Sequence, residues 1–173
     1  MKSATKHGRS TGAAAPEFFG ASVRGPMHKR NGRPCEDAWK GRVFAFGSAI
    51  SIGDGMGSKP CAARGARSAC ASAMRAARFW AGAPAVGSDW VSRWIEAQWR
   101  FAVAPHDPQH CATTCHVVAT HPQAGLIYAG IGDGMVLFQE RNQPVRCLSA
   151  RDGGDFSVAS ATVREGTTGI RVA

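Results

Sequence analysis

The chain has 173 residues, 44% of them hydrophobic and 19% charged, a balance that fits one globular domain and excludes a wholly disordered chain. No apolar run reaches the ~20 residues of a membrane-spanning helix, and the longest, residues 43–52, is interrupted by Gly47, Ser48 and Ser51. The net charge is +9, from 21 Lys and Arg against 12 Asp and Glu, but the basic residues are scattered and form no aromatic-interleaved stripe, so neither a nucleic-acid nor a membrane partner is expected.

Residues 1–16 are basic and rich in small residues, with Lys2, Lys6 and Arg9 and no continuous apolar core of the ~7–15 residues that a secretory signal needs. They read as a disordered leader on a cytoplasmic protein, whose six cysteines then stay reduced. Phe18 to Val23 is short and apolar and predicts a first strand. Gly25-Pro26, Asn31-Gly32 and Pro34 break the next stretch into turns. A strand pair is expected at Ala38 to Phe46 and Ala49 to Ile52, ending abruptly at Gly53-Asp54-Gly55-Met56-Gly57-Ser58.

Ala62 to Trp80 is rich in alanine and arginine, both strong helix formers. Ala62, Ala66, Ala69, Ala73 and Ala77 recur at spacings of three and four and form one flat face for close packing. Gly82, Pro84 and Gly87 end that helix, and Ser88 reads as the N-cap of a second, with Asp89 in its first turn. Val91, Ile95 and Trp99 repeat at helical spacing up to about Val103, and Trp90 and Trp94 read with them as core residues. The short connection makes the two helices an antiparallel pair.

From Thr113 the period changes to that of strands: Thr114 to Thr120, Leu126 to Gly130, Met135 to Glu140 and a short Val145 to Leu148. Residues 121–125 read as a hairpin loop, and Gly132-Asp133-Gly134 as a tight turn between the second and third of these strands. Strands, a helix pair and a strand meander make an α+β chain with antiparallel sheet.

Ile52-Gly53-Asp54-Gly55-Met56 recurs as Ile131-Gly132-Asp133-Gly134-Met135. Two readings stay open: ordinary Asp-Gly turns, or carboxylates aimed from sharp turns into a cleft. A third acidic turn lies at Cys35-Glu36-Asp37-Ala38, and carboxylates in such a setting suit a hard cation such as Mg²⁺ or Mn²⁺. The spacing of a calcium-binding EF-hand is absent, and so is a phosphate-cradling P-loop. His106, His110, Cys111, Cys115, His116 and His121 crowd together, but prolines 105 and 108 and the lack of a C-x₂-C pair argue against a structural zinc site. Cys61 and Cys70 read as packing residues of the alanine-rich helix.

The ordered set Gly25-x-x-His28, Gly32-x-Pro34-Cys35-Glu36-Asp37-Ala38, Asp54-Gly55-Met56-Gly57-Ser58, Gly65-Ala66, Thr113-Thr114 and Gly130-x-Gly132-Asp133-Gly134 resembles the metal-dependent PPM-type (protein phosphatase 2C-like) serine/threonine phosphatases. Among them it is most similar to the bacterial branch whose opening motif carries histidine. Residues 151–156, Arg-Asp-Gly-Gly-Asp-Phe, resemble a later motif of that branch. The resemblance implies an α-β-β-α sandwich of antiparallel sheets flanked by helix pairs, in a domain over residues 17–160 followed by an irregular tail at 161–173.

It also implies a two-metal Mn²⁺ or Mg²⁺ site. Asp37, Asp54 and the Gly55 carbonyl would bind metal, Asp133 would serve an additional ion, and Glu36 would orient a metal-bound water. Arg30 or Arg33 would grip the substrate phosphate, and His28 would protonate the leaving alkoxide or contact the phosphate. The implied reaction is hydrolysis of a phosphoserine or phosphothreonine protein by metal-activated water. The family's second Asp-Gly strand end and its final aspartate have no counterpart, since residues 160–173 contain no aspartate. The resemblance therefore implies a C-terminally truncated domain with an incomplete ligand set and little turnover. The alternative is a non-catalytic module that binds a phosphoprotein or another partner.

Overall fold

The computed structural model describes residues 18–149 and the strand segments Ser157–Ala161 and Thr167–Val172. The basic leader, the 151–156 motif and most of the tail lie outside the described residues. In chain order the elements are helix α1 (Pro26–Arg30), strands β1 (Asp37–Phe44) and β2 (Gly47–Asp54), helices α2 (Ala62–Gly82) and α3 (Ser88–Val103), and a 3₁₀ turn (Pro108–Cys111). Strands β3 (Cys115–His121), β4 (Gly125–Ile131), β5 (Val136–Glu140), β6 (Arg146–Cys147), β7 (Ser157–Ala161) and β8 (Thr167–Val172) follow.

The strands form two antiparallel sheets, a five-stranded one ordered β1-β2-β3-β4-β7 and a three-stranded one ordered β6-β5-β8. Side-chain alternation decides what each face of the larger sheet covers. Ala49, Cys115, Val117, Ala119, Ile127 and Ala129 belong to one buried cluster with Ala69, Ala73, Ala77 and Trp80 of α2 and with Val91 and Ile95 of α3. The intervening Val118, Leu126 and Tyr128 belong to a second cluster with Val136 and Phe138 of β5. The larger sheet is therefore covered by the helix pair on one face and by the smaller sheet on the other, which is α+β sandwich architecture. Among the described residues, no helix is long and apolar enough to cross a membrane.

The alanine face of α2 packs as its spacing predicts, with Ala62, Ala66, Ala69, Ala73 and Ala77 all buried. Small side chains let the helix come close: a Cβ at Gly65 would overlap the Cys111 carbonyl, and Trp99 Nε1 donates to the Gly65 carbonyl at 3.2 Å. Trp94 and Trp99 are partly buried against the same core, whereas Trp90 lies at its rim, in contact with Phe79 and Trp94.

Four local expectations are corrected. Phe18 to Val23 forms no strand; the Phe18 ring lies over Gly41 and Gly20 lies against the Trp39 ring, while Phe19 and Val23 are exposed. Gly87 in extended conformation is the N-cap of α3, so Ser88 is already its first helical residue. The Gly132-Asp133-Gly134 turn joins no hairpin, because β4 pairs with β3 and β7 while β5 lies in the other sheet. Its positive φ angles, 86° at Gly132 and 152° at Gly134, carry the chain from one sheet to the other. Lastly, the tail expected to be irregular contains β8, which pairs with β5.

Candidate metal and phosphate site

The topology brings the acidic turns together. Successive strands β1, β2, β3 and β4 are antiparallel, so β2 and β4 run in the same direction and end at the same edge of the sandwich. The two Ile-Gly-Asp-Gly-Met repeats therefore emerge at the same end of the sheet, separated by β3. Strand β1 starts at that edge, where Asp37 is the direct cross-strand partner of Asp54.

The backbone of the first repeat is held from both sides. Thr114 Oγ1 accepts from the Asp54 N–H at 2.9 Å, and the Thr114 N–H and Thr113 Oγ1 both donate to the Asp54 carbonyl at 2.8 Å. The Gly55 N–H donates to the Glu36 carbonyl at 3.1 Å. A Cβ at Gly55 would press to within 2.6–2.8 Å of the Ala62 and Glu36 backbones, so only glycine fits between them. Among the described residues, no donor bonds the Gly55 carbonyl.

Partial burial raises the Asp54 pKa above the usual carboxylate value. Hydrogen bonding and charge from Asp37 add to this, followed by the charges of Asp133 and Glu36. Three other carboxylates thus act on Asp54 at this edge. Among the described residues they do not close into a group of three enclosing an ion. An open rim of mutually repelling carboxylates still fits Mg²⁺ or Mn²⁺, since Mg²⁺ commonly takes one or two carboxylates and keeps several waters.

Glu36 is 5% exposed and supplies the second sign of a polar ligand site. Its Oε1 accepts from Arg33 Nη2 at 2.6 Å, while its buried Oε2 has no hydrogen-bond partner. His28 Nε2, from α1, approaches Oε2 to 3.6 Å. Arg33 Nη2 also donates to the Gly57 carbonyl at 2.6 Å, tying the acidic turn before β1 to the turn after β2. These two bonds use a single guanidinium nitrogen. Arg30 is not brought into the cluster; its Nη2 lies 2.9 Å from Met27 Sδ.

His116 is a supporting residue that the sequence did not single out for this site. It is 1% exposed on β3; its Nε2 donates to the Asp133 carbonyl at 3.1 Å, and its Nδ1 is 2.9 Å from the Tyr128 hydroxyl. Burial lowers its pKa, against smaller opposing effects of the Asp133 carbonyl and charge. The absent side chains of Gly130 and Gly134 make room for the ring, since a Cβ at either would overlap it. Two further histidines go elsewhere: His121 Nδ1 accepts the N–H groups of Gln123 and Ala124, and His106 Nδ1 is 3.7 Å from Cys61 Sγ.

The profile of the family described as Protein phosphatase 2C matches residues 24–167. No curated protein sequence matches the chain. Among solved structures, the chain is similar to RsbX in complex with magnesium, with a TM-score of 0.55 at 12% identity over 77% of this chain and 63% of that one. It is similar to the PP2C phosphatase domain with a regulatory-domain fragment of SpoIIE from Bacillus subtilis, with a TM-score of 0.52 at 16% identity over 75% of this chain and 37% of that one. A Stage II Sporulation E Family Protein from Thermanaerovibrio acidaminovorans matches with a TM-score of 0.53 at 16% identity, over 65% of this chain and 53% of that one. The chain thus spans less than two thirds of the length of each of these structures, and the likeness to them is one of fold.

Proposed function

The chain belongs to the protein phosphatase 2C family, and from that premise we propose that its carboxylate edge is a metal-dependent phosphatase site for phosphoserine or phosphothreonine in proteins. The observation that carries the reading is the convergence of Asp37, Asp54, Asp133 and Glu36 on one end of the sandwich, where burial first, and then the neighbouring carboxylates, raise the Asp54 pKa. Asp37, Asp54 and the Gly55 carbonyl would hold Mn²⁺ or Mg²⁺, with Asp133 beside them. A bound divalent cation at this edge supplies Lewis-acid activation of water and charge neutralisation of the phosphate.

The chain's own groups divide the remaining work. Arg33 commits only Nη2 to Glu36 and Gly57, which leaves its Nε and Nη1 donors to grip a phosphate oxygen. Glu36, fixed through Oε1, offers its unpartnered Oε2 to orient a water. His28, 3.6 Å from that oxygen, would pass a proton to the departing alkoxide or contact the phosphate. Thr113 and Thr114 hold the Asp54 backbone, and His116 holds that of Asp133. All six cysteines are free thiols, which supports a reducing, cytoplasmic setting.

The test is hydrolysis of p-nitrophenyl phosphate and of a phosphoserine peptide with Mn²⁺, with EDTA, and in Asp54→Asn. Slow metal-dependent turnover, abolished by EDTA and by the substitution, is expected. Turnover indifferent to both would overturn the reading. A second reading rests on the open arrangement of the carboxylates: a non-catalytic module that binds a phosphorylated partner at the same edge. Metal-dependent phosphopeptide binding without any turnover would select it.

A further inference from the structure

Away from the carboxylates, the described residues leave a cleft of about 680 Å³ between the outer edge of β1 and helix α2. Lys40 and Arg42 line it from β1, and Arg75 and Arg78 from α2. All four are exposed, and none forms an ion pair among the described residues. Among the described residues no acidic side chain lines the cleft, and its apolar walls come from Phe18, Trp39, Phe44, Ala71 and Met74. Arg75 and Arg78 also line an adjoining cleft of about 420 Å³ with Phe79 and Trp94, and Phe79 is 45% exposed.

We propose that this cleft docks an extended acidic peptide segment, laid along the edge of β1 with an aromatic or aliphatic side chain against Phe79 and Trp94. Three observations converge on that occupant. First, among the described residues β1 is the terminal strand of its sheet, so one row of its backbone N–H and C=O groups is left unpaired by that sheet and can accept an added strand. Second, four cations with no acidic neighbour in the lining select carboxylates by charge complementarity. Third, the chain's own first 16 residues are basic and contain no Asp or Glu, so their charge opposes filling the same cleft. Edge lysines can serve merely to prevent strand–strand aggregation. That role does not account for Arg75 and Arg78, which face the edge from a helix. The proposal is independent of the phosphatase reading, and its test needs neither metal nor turnover.

The experiment is fluorescence anisotropy of the full chain with a labelled 12-residue peptide containing five Glu and a central Phe. The double variants Arg75→Glu/Arg78→Glu and Lys40→Glu/Arg42→Glu are compared with the parent, and circular dichroism checks their folding. Single Arg78→Ala, an exposed truncation, provides the reading if a double variant unfolds. Expected are saturable binding, at least tenfold weakening in each double variant, about threefold in Arg78→Ala, and weaker binding at 300 mM than at 50 mM NaCl. The proposal is overturned by binding that survives both charge reversals, or by a matched lysine peptide that binds equally well. Absence of binding, or a single-stranded oligonucleotide that binds more tightly than the peptide, also overturns it.

Discussion

The buried imidazole of His116 is wedged between the Tyr128 hydroxyl, 2.9 Å from Nδ1, and the Asp133 carbonyl, 3.1 Å from Nε2. Because a carbonyl only accepts, Nε2 carries the proton and Nδ1 accepts from Tyr128. One neutral tautomer thus ties β3 and β4 to the turn that presents Asp133. Replacing it by leucine removes both hydrogen bonds, including the donor to the Asp133 carbonyl, and should destabilise the chain by about 1–3 kcal/mol. His116→Gln, which keeps an amide donor and acceptor, should recover part of that loss. Urea denaturation measures both, and a His116→Leu variant as stable as the parent would contradict the assignment.

Arg33 clamps two turns, through Glu36 and the Gly57 carbonyl. Arg33→Ala should cost about 1–3 kcal/mol, the range for hydrogen bonds to a charged group and for leaving a buried acceptor unsatisfied. Arg33→Lys should fall between, since an ammonium keeps the charge but is a flexible, strongly hydrated point donor that is less pre-organised for both acceptors. Thermal unfolding of the three chains gives the order, and an unchanged melting temperature in Arg33→Ala would refute it.

Gly65 sits where α2 touches the 3₁₀ turn, and a Cβ there would overlap the Cys111 carbonyl. On helix propensity alone Gly65→Ala should stabilise by about 1 kcal/mol. Overpacking costs about 1–3 kcal/mol, so the net effect should be destabilising or at best neutral. A clear rise in stability would show that the contact is not tight.

Burial pushes the Cys115 thiol up to about 12. Cys115, Cys70 and Cys111 should resist a thiol reagent in the native chain, whereas exposed Cys147 reacts at once. The folded state holds the Cys115 proton more tightly than the unfolded one, whose thiol titrates near pH 9. Its contribution is therefore complete below pH 9 and lost as pH rises toward 12. Rapid native labelling of Cys115, read by peptide mass mapping, would contradict this placement.

Local sequence carried much of this structure. The alanine stripe from Ala62 to Ala77 specified the buried face of α2, and the twin Ile-Gly-Asp-Gly-Met segments marked two turns that the topology then brings to one edge. What stayed illegible depends on pairing at a distance. Nothing local to Gly132-Asp133-Gly134 says that β5 joins another sheet, because the partner strands β6 and β8 lie further along the chain. The role of His116 was hidden for the same reason. Its signal is the nearby Tyr128 and the two glycines that vacate its space, which are recognisable only once the β3–β4 register is known. Between Arg30 and Arg33 the spacing gave no choice; the fold turns Arg33 to Glu36 and Arg30 to Met27.

Mn²⁺ binding to the full chain tests, without relying on turnover, the proposal that Asp37 and Asp54 hold a divalent cation. Titration followed by electron paramagnetic resonance of free Mn²⁺ should show saturable binding in the parent chain. Asp54→Asn should weaken it at least tenfold, whereas Asp89→Asn, on the exposed first turn of α3, should leave it unchanged. Equal Mn²⁺ binding by the parent and Asp54→Asn, or none by the parent, would contradict the claim.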